Sequence, residues 1–291
     1  MQRSGSRALA VVAGMVVACA VAGCGSASPD HGAPLTTDTV EPVAEPDAPA
    51  APGLGDGPIT LIALGDSLTA GEGDDSGRGY VGRIGEAITA LPGRSGSSVV
   101  NFGASGWDST MMVDGQEGSP AELGAAVAEV TTAVADGRAA LVTVLIGSND
   151  LWYLYEYGTP EGTTPTEEDT AAQTYRTNLD RTVTELTDAG AVVVLGLPDD
   201  QSVRPAVADI DRLHGYLPDV TVDEVQLMSV MAVRLDRITE EVAADHRVRT
   251  VDTNAAFWAD KSKMADDGIH PNGDGYTDLA RLWLAVIHDL T

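Results

Sequence analysis

The chain has 291 residues, 43% of them hydrophobic, enough to bury a sizeable core in one large domain or two small ones, which excludes a wholly disordered chain. Its 17 Lys and Arg against 44 Asp and Glu give a formal charge of −27, so a phosphate backbone would meet strong like-charge repulsion and no nucleic-acid partner is expected. Cys19 and Cys24 are the two cysteines, which leaves no disulfide framework and no Cys-based zinc site beyond residue 24.

At the N-terminus Arg3 and Arg7 precede an apolar run from Ala8 to about Ala22 that ends in small residues, the pattern of a secretory signal. The uncharged stretch Ala8 to Pro29, at 22 residues, also has the length of a membrane-spanning anchor. Val21-Ala22-Gly23-Cys24 favours a third arrangement, since it resembles the bacterial lipobox: residues 1–23 would be removed and Cys24 lipidated, anchoring an exported protein to the outer face of the cell membrane. Simple secretion is the alternative. Residues 24–57 read as an acidic tether, because residues 25–57 hold six Pro and six Asp or Glu, no Lys or Arg, and almost no large apolar residue to repay the entropy of ordering. A folded domain over 58–291 follows, with 15 cationic against 38 acidic residues.

Within that domain strand-length apolar runs occur at Ile59 to Leu64, Ser98 to Phe102, Ala140 to Ile146, Ala191 to Leu197 and Val248 to Asp252. They are nearly continuous rather than alternating, as expected of strands covered on both faces. Helical periodicity lies between them, at about Tyr80 to Ala90, Ala121 to Ala135, Glu167 to Ala189, Asp223 to Ala244 and Tyr276 to Leu290. Five strands interleaved with helices predict an α/β fold, a three-layer α/β/α sandwich around a five-stranded parallel sheet.

In such sheets the working residues lie past the carboxyl ends of the strands. Four of the five exits carry polar or glycine-rich clusters: Gly65-Asp66-Ser67-Leu68, Asn101-Phe102-Gly103-Ala104-Ser105-Gly106, Gly147-Ser148-Asn149-Asp150 and, past the fifth, Asp266-Asp267-Gly268-Ile269-His270-Pro271. Each alone is an ordinary turn or helix cap. Together they supply the parts of a serine acyl hydrolase. A serine hydroxyl is a weak nucleophile without a neighbouring base, and Ser67 and His270 fit that pair. A tetrahedral intermediate needs preorganised donors, and Gly106 and Asn149 fit that need. Asp267, three residues before His270 on a tight turn, is placed to reach the Nδ1–H of the imidazole and free Nε2; Asp266 reads as a solvated neighbour. His31, His214, His246 and His288 lack comparable context.

These four blocks resemble those of the SGNH hydrolases, also called GDSL-type esterases and lipases, and the resemblance covers about 58–291. It implies Ser67 as nucleophile, His270 as general base and then acid, and Asp267 as the group that orients it. It further implies an oxyanion hole made by the Ser67 and Gly106 backbone N–H groups and the Asn149 side chain. Gly103 competes with Gly106 for the glycine role; Gly106 is preferred because it stands five residues after Asn101, the family's spacing. Trp107-Asp108-Ser109 departs from the small polar stretch of many relatives.

No Gly-x-Ser-x-Gly elbow, His-Glu-x-x-His or Walker loop occurs, and the glycine-rich run Gly77 to Gly82 does not directly follow a predicted strand, so no cofactor is expected. Dispersed carboxylates without a calcium-loop pattern lead us to expect no metal. Leu151 to Tyr157 holds four aromatic residues just after Asn149, and Trp152, Tyr153 and Trp107 are candidate pocket walls, with core packing as the alternative. Residues 158–166 read as a surface insertion, and 197–222 as a segment able to overhang the site. The expectation is a monomeric carboxylic-ester hydrolase, acting on short acyl or acetyl esters of a small molecule or glycan. Lysophospholipase or lipase action, or a non-catalytic lipid-anchored carbohydrate-binding protein, are the alternatives.

Overall fold

The computed structural model describes residues 53–156, 162–215, 218 and 220–291. The leader, Cys24, His31, most of the tether and Tyr157 lie outside these residues. The described residues form one sheet with helices on both faces. In chain order they are β1 (Ile59–Gly65), α1 (Ser67–Ala70), α2 (Gly79–Ala90), β2 (Ser98–Asn101), α3 (Ser109–Asp114), α4 (Glu122–Ala135), β3 (Ala139–Leu145), α5 (Ser148–Glu156), α6 (Pro165–Asp188), β4 (Val192–Gly196), α7 (Ile210–Leu213), α8 (Val222–His246), β5 (Arg249–Val251) and α9 (Gly273–Ile287). All strand pairs are parallel, in the order β2-β1-β3-β4-β5.

Side-chain alternation along the strands feeds two cores. From β1, Ile62 and Leu64 enter one core while Ile59, Leu61 and Ala63 enter the other; β3 divides Val142 and Val144 from Leu141 and Leu145 in the same way. The first core is closed by α3, α4, α6 and α8, and the second by α2 and α9, whose Tyr80 and Trp283 stack at 5.5 Å between ring centroids. Because both faces of β1 and β3 are covered, their sequences need no polar residue on alternate positions. Each fully buried Leu, Ile or Val adds roughly 1.5–3 kcal/mol of apolar transfer.

Several boundaries differ from expectation for physical reasons. Leu54, assigned to the tether, is 3% exposed and its N–H donates to the Leu290 carbonyl at 2.8 Å, so an isolated apolar residue in a Pro-rich stretch docks on the end of the chain. β2 is an edge strand paired with β1 alone and is mostly exposed rather than covered on both faces. α6 begins at Pro165, two residues before the expected start, on a capping box in which Thr164 and Glu167 bond reciprocally. The short helices α1, α3, α5 and α7 have too few turns to show a 3.6-residue period. Three of them, α1, α3 and α5, lie directly on the loops that leave β1, β2 and β3.

Candidate active site

The exits of β1, β2 and β3 and the loop before α9 meet at the carboxyl end of the sheet. At the first, Gly65 has φ +147, and a Cβ there would overlap the Leu145 carbonyl oxygen, so the strand can turn beside β3 only with glycine. Asp66 caps α1 by accepting the Leu68 N–H at 2.9 Å. Ser67 is thereby the first residue of α1, with its backbone N–H among the unsatisfied donors of a helix start. Burial pushes the Asp66 carboxyl up to about 6, against the pull of the Leu68 N–H and the Arg204 charge.

Ser67 Oγ lies 2.9 Å from His270 Nε2, across 203 residues of sequence. His270 Nδ1 is 2.6 Å from Asp267 Oδ2, while Asp267 Oδ1 accepts the Ile269 and His270 backbone N–H groups at 2.8 and 3.0 Å. Burial alone would raise the Asp267 carboxyl; these bonds outweigh it and hold the group at about 2. A carboxylate on Nδ1–H leaves Nε2 to accept the Ser67 proton. Glu72 Oε2 stands 3.4 Å from the same Nε2, and its other oxygen accepts the Ser105 hydroxyl. The Asp266 carbonyl accepts from Arg212, and its carboxyl has no hydrogen-bond partner among the described residues.

The two glycines of the second exit differ in their surroundings. Gly103 packs so close that a Cβ would sit 2.5 Å from the Ala70 nitrogen, and its N–H donates to Asn101 Oδ1 at 2.9 Å, so it is spent on docking the loop against α1. Gly106, with φ +77, lines a cavity of about 260 Å3 together with Ser67, Asn149 and His270. Asn149 donates one amide hydrogen to the Trp107 carbonyl at 2.8 Å and keeps a second.

Behind these donors lies a clamp absent from the sequence expectation. Asp150 accepts the Ser109 N–H at 2.9 Å and the Ser109 hydroxyl at 2.5 Å, and Asn178 on α6 donates to Ser109 and Thr110. The start of α3, just after the Gly106 loop, is thus tied to α5, which carries Asn149. Burial pushes the Asp150 carboxyl up to about 7, partly offset by the Ser109 bonds. The signal available was a carboxylate directly after the Asn and a serine three residues after Gly106, but no local rule pairs them.

Of the candidate walls, Trp152 and Tyr153 line the cavity, and the Tyr153 hydroxyl donates to the Gly106 carbonyl. Trp107 does not: it is 6% exposed and packs in the core, because its backbone turns back to bring its carbonyl to Asn149. Leu151 and Tyr155, four residues apart on α5, also face the core. The segment after β4 contributes Arg204 and Leu213 to the cavity. Arg204 is bidentate to Asp199, at 2.9 and 2.6 Å, and lies over the Trp258 ring at 4.6 Å. Spaced five apart in an irregular stretch, that pair fits neither helix nor strand periodicity and was missed.

A sheet of this order with Ser, His and Asp in hydrogen-bond sequence at its carboxyl end defines an acyl-hydrolase class of α/β protein. The chain belongs to the GDSL-like lipase/acylhydrolase family, whose profile matches residues 63–277, and is an ester-hydrolysing enzyme of that family. It is 25% identical to the uncharacterized protein YpmR of Bacillus subtilis over 229 residues, 77% of this chain and 79% of that one. In fold it is similar to LAE5, an alpha/beta hydrolase enzyme from the metagenome of Lake Arreo, Spain, with a TM-score of 0.52 and 22% identity over 82% of this chain and 98% of that one. A catalytic mutant of the acetylxylan esterase Axe2 from Geobacillus stearothermophilus gives a TM-score of 0.51 and 22% identity over 81% and 96% of the two chains.

Proposed function

We propose that the chain is a serine carboxylic-ester hydrolase working through an acyl-enzyme. The observation that carries this is the chain of contacts from Ser67 Oγ to His270 Nε2 at 2.9 Å and from His270 Nδ1 to Asp267 at 2.6 Å, opening on a cavity. Ser67 Oγ bonds to the ester carbon as its proton passes to His270 Nε2. The carbonyl oxygen becomes an oxyanion held by the Ser67 N–H, the Gly106 N–H and the second amide hydrogen of Asn149. Collapse breaks the ester C–O bond, and the departing alkoxide takes the proton from Nε2. Water then gives a proton to Nε2 and attacks the acyl carbon; Ser67 leaves, recovers that proton, and the carboxylic acid is released.

The small cavity, walled by Trp152, Tyr153, Leu213 and Ile269, supports short acyl or acetyl esters over long-chain lipids. Ser67→Ala should lower kcat by about 10^4-fold or more on p-nitrophenyl acetate. Hydrolysis that survives the change refutes the mechanism, and palmitate turned over faster than acetate refutes the short-chain preference. Export as a lipoprotein through Cys24 belongs to the same proposal, supported by the residues before it. Cys24→Ala should release the protein from membranes, and retention in the membrane fraction would contradict the lipid anchor.

A further inference from the structure

The cavity holds polar groups that the acyl-transfer steps leave unused. Arg204 lines it, yet its side chain is only 2% exposed and its conformation is fixed on two sides. Asp199 takes Nε and Nη2, and the guanidinium plane lies over Trp258. Nη1 has no hydrogen-bond partner among the described residues, and it is not among the nitrogens sealed from solvent. A guanidinium held side-on by one carboxylate keeps its other edge, Nη1 with the outer hydrogen of Nη2, as a second fork of donors.

Ser148 shares the wall. It is 7% exposed, lines the cavity, and its hydroxyl has no partner among the described residues. The two are physically linked, since the buried Gln201 donates from Nε2 to the Ser148 carbonyl at 3.0 Å and accepts the Arg204 N–H on its own carbonyl at 3.0 Å. Two nearly buried residues with unpaired side-chain donors therefore line the cavity that Ser67 also lines, on a wall tied together by Gln201. Leaving such donors against a hydrocarbon chain costs free energy, whereas an oxygen of the substrate would satisfy them.

The charge balance decides which oxygen. The positive charge of Arg204 is matched in contact by Asp199, and Glu72 adds a carboxylate to the same cavity. An anionic group would gain the fork but meet no net attraction. We infer that Arg204 and Ser148 form a second polar subsite that takes a neutral hydroxyl or carbonyl oxygen of the ester, making this a hydrolase of oxygen-bearing rather than purely hydrocarbon esters. The inference rests on the proposed ester hydrolysis at Ser67 and names its substrate class.

The test uses the purified full-length chain and matched esters, followed by acid release: ethyl 3-hydroxybutyrate against ethyl butyrate for the acyl side, glyceryl monoacetate against butyl acetate for the alcohol side, and monoethyl succinate as the anionic arm. The oxygen-bearing member of at least one neutral pair should be preferred about tenfold or more in kcat/KM, the worth of a hydrogen bond to a charged donor. In Arg204→Met, and in Asp199→Asn with Arg204→Met, which strands no buried carboxylate, that ratio should fall toward one. Ser148→Ala should lower it by a smaller factor, so the wild-type ratios and this variant decide the matter even if the arginine variants do not fold. Equal rates within both pairs, a ratio unmoved in the arginine or Ser148 variants, or a preference for monoethyl succinate over ethyl 3-hydroxybutyrate would overturn the subsite. Ser67→Ala run alongside separates the two levels: activity that survives it refutes the hydrolytic mechanism, whereas Ser67-dependent activity without oxygen preference refutes the subsite alone.

Discussion

Asp267 accepts three hydrogen bonds and keeps its charge to about pH 2, so His270 meets a carboxylate throughout the neutral range. Replacing it by Asn leaves the size but supplies an NH2 group where an acceptor is needed, and Asp267→Asn should lower kcat by about 10^3–10^4-fold while the fold persists. A steady-state comparison with an intact circular-dichroism spectrum checks this; activity within tenfold of the parent would remove Asp267 from the catalytic unit. Gly65→Ala tests the turn before the serine. A methyl group pressed on the Leu145 carbonyl should cost more than about 3 kcal/mol in denaturant unfolding, and a loss below about 1 kcal/mol would show that the turn relaxes. At this scale the sequence was informative where chemistry restricts residue type: Ser67, Asn149, Asp267 and His270 stand in short blocks, and the structure brings those blocks to one end of the sheet. It was silent where residues matter through distant partners. Ser109 with Asp150, and Arg204 with Asp199 and Trp258, are pairings made by the fold, and Trp107 looked like a wall only because it follows Gly106 in the chain.

Among the elements, the long helices and central strands were legible because burial on one or two faces writes a period into the residues, while their ends were set by caps. The start of α6 is an instance: Thr164-Pro165-Thr166-Glu167 encodes both the cap and a proline at the first turn, yet the apolar period begins only later. Since Thr164 is exposed, Glu167 is only partly buried and both are remote in sequence from the candidate site blocks, Thr164→Ala should lower stability by about 1 kcal/mol, read as a denaturant midpoint shift at constant slope. No shift would mean that Pro165 alone defines the helix start. β2 misled for the opposite reason. Val99 and Val100 have the residue types of a covered strand, but an edge position leaves Val99 43% exposed beside α2, where Gly85 makes room for it.

For the whole molecule, acidity is distributed unevenly between surface and interior. Burial pushes Asp66 up to about 6, Asp150 and Asp236 to about 7 and Glu122 to about 8, all above their ordinary values of 3.8 or 4.5. In the folded state these groups bind protons more tightly than in the unfolded one, so the stability they contribute is fully present below about pH 4 and is lost as pH rises through 6 to 8. Asp267 acts with the other sign: its contribution is present above 3.8 and lost as pH falls through about 2. The melting temperature should therefore climb from pH 8.5 to about 5 and fall again below about 3.5, and Glu122→Gln should flatten the alkaline limb. A melting temperature that rises steadily with pH across this range would contradict the protonated interior.

The central claim is that Ser67 is the nucleophile, and covalent labelling tests it most directly. A fluorophosphonate probe should modify the native protein at one site, mapped by peptide mass spectrometry to Ser67, with labelling lost in Ser67→Ala and on unfolding. Labelling at another serine, or none while ester hydrolysis proceeds, would contradict the account.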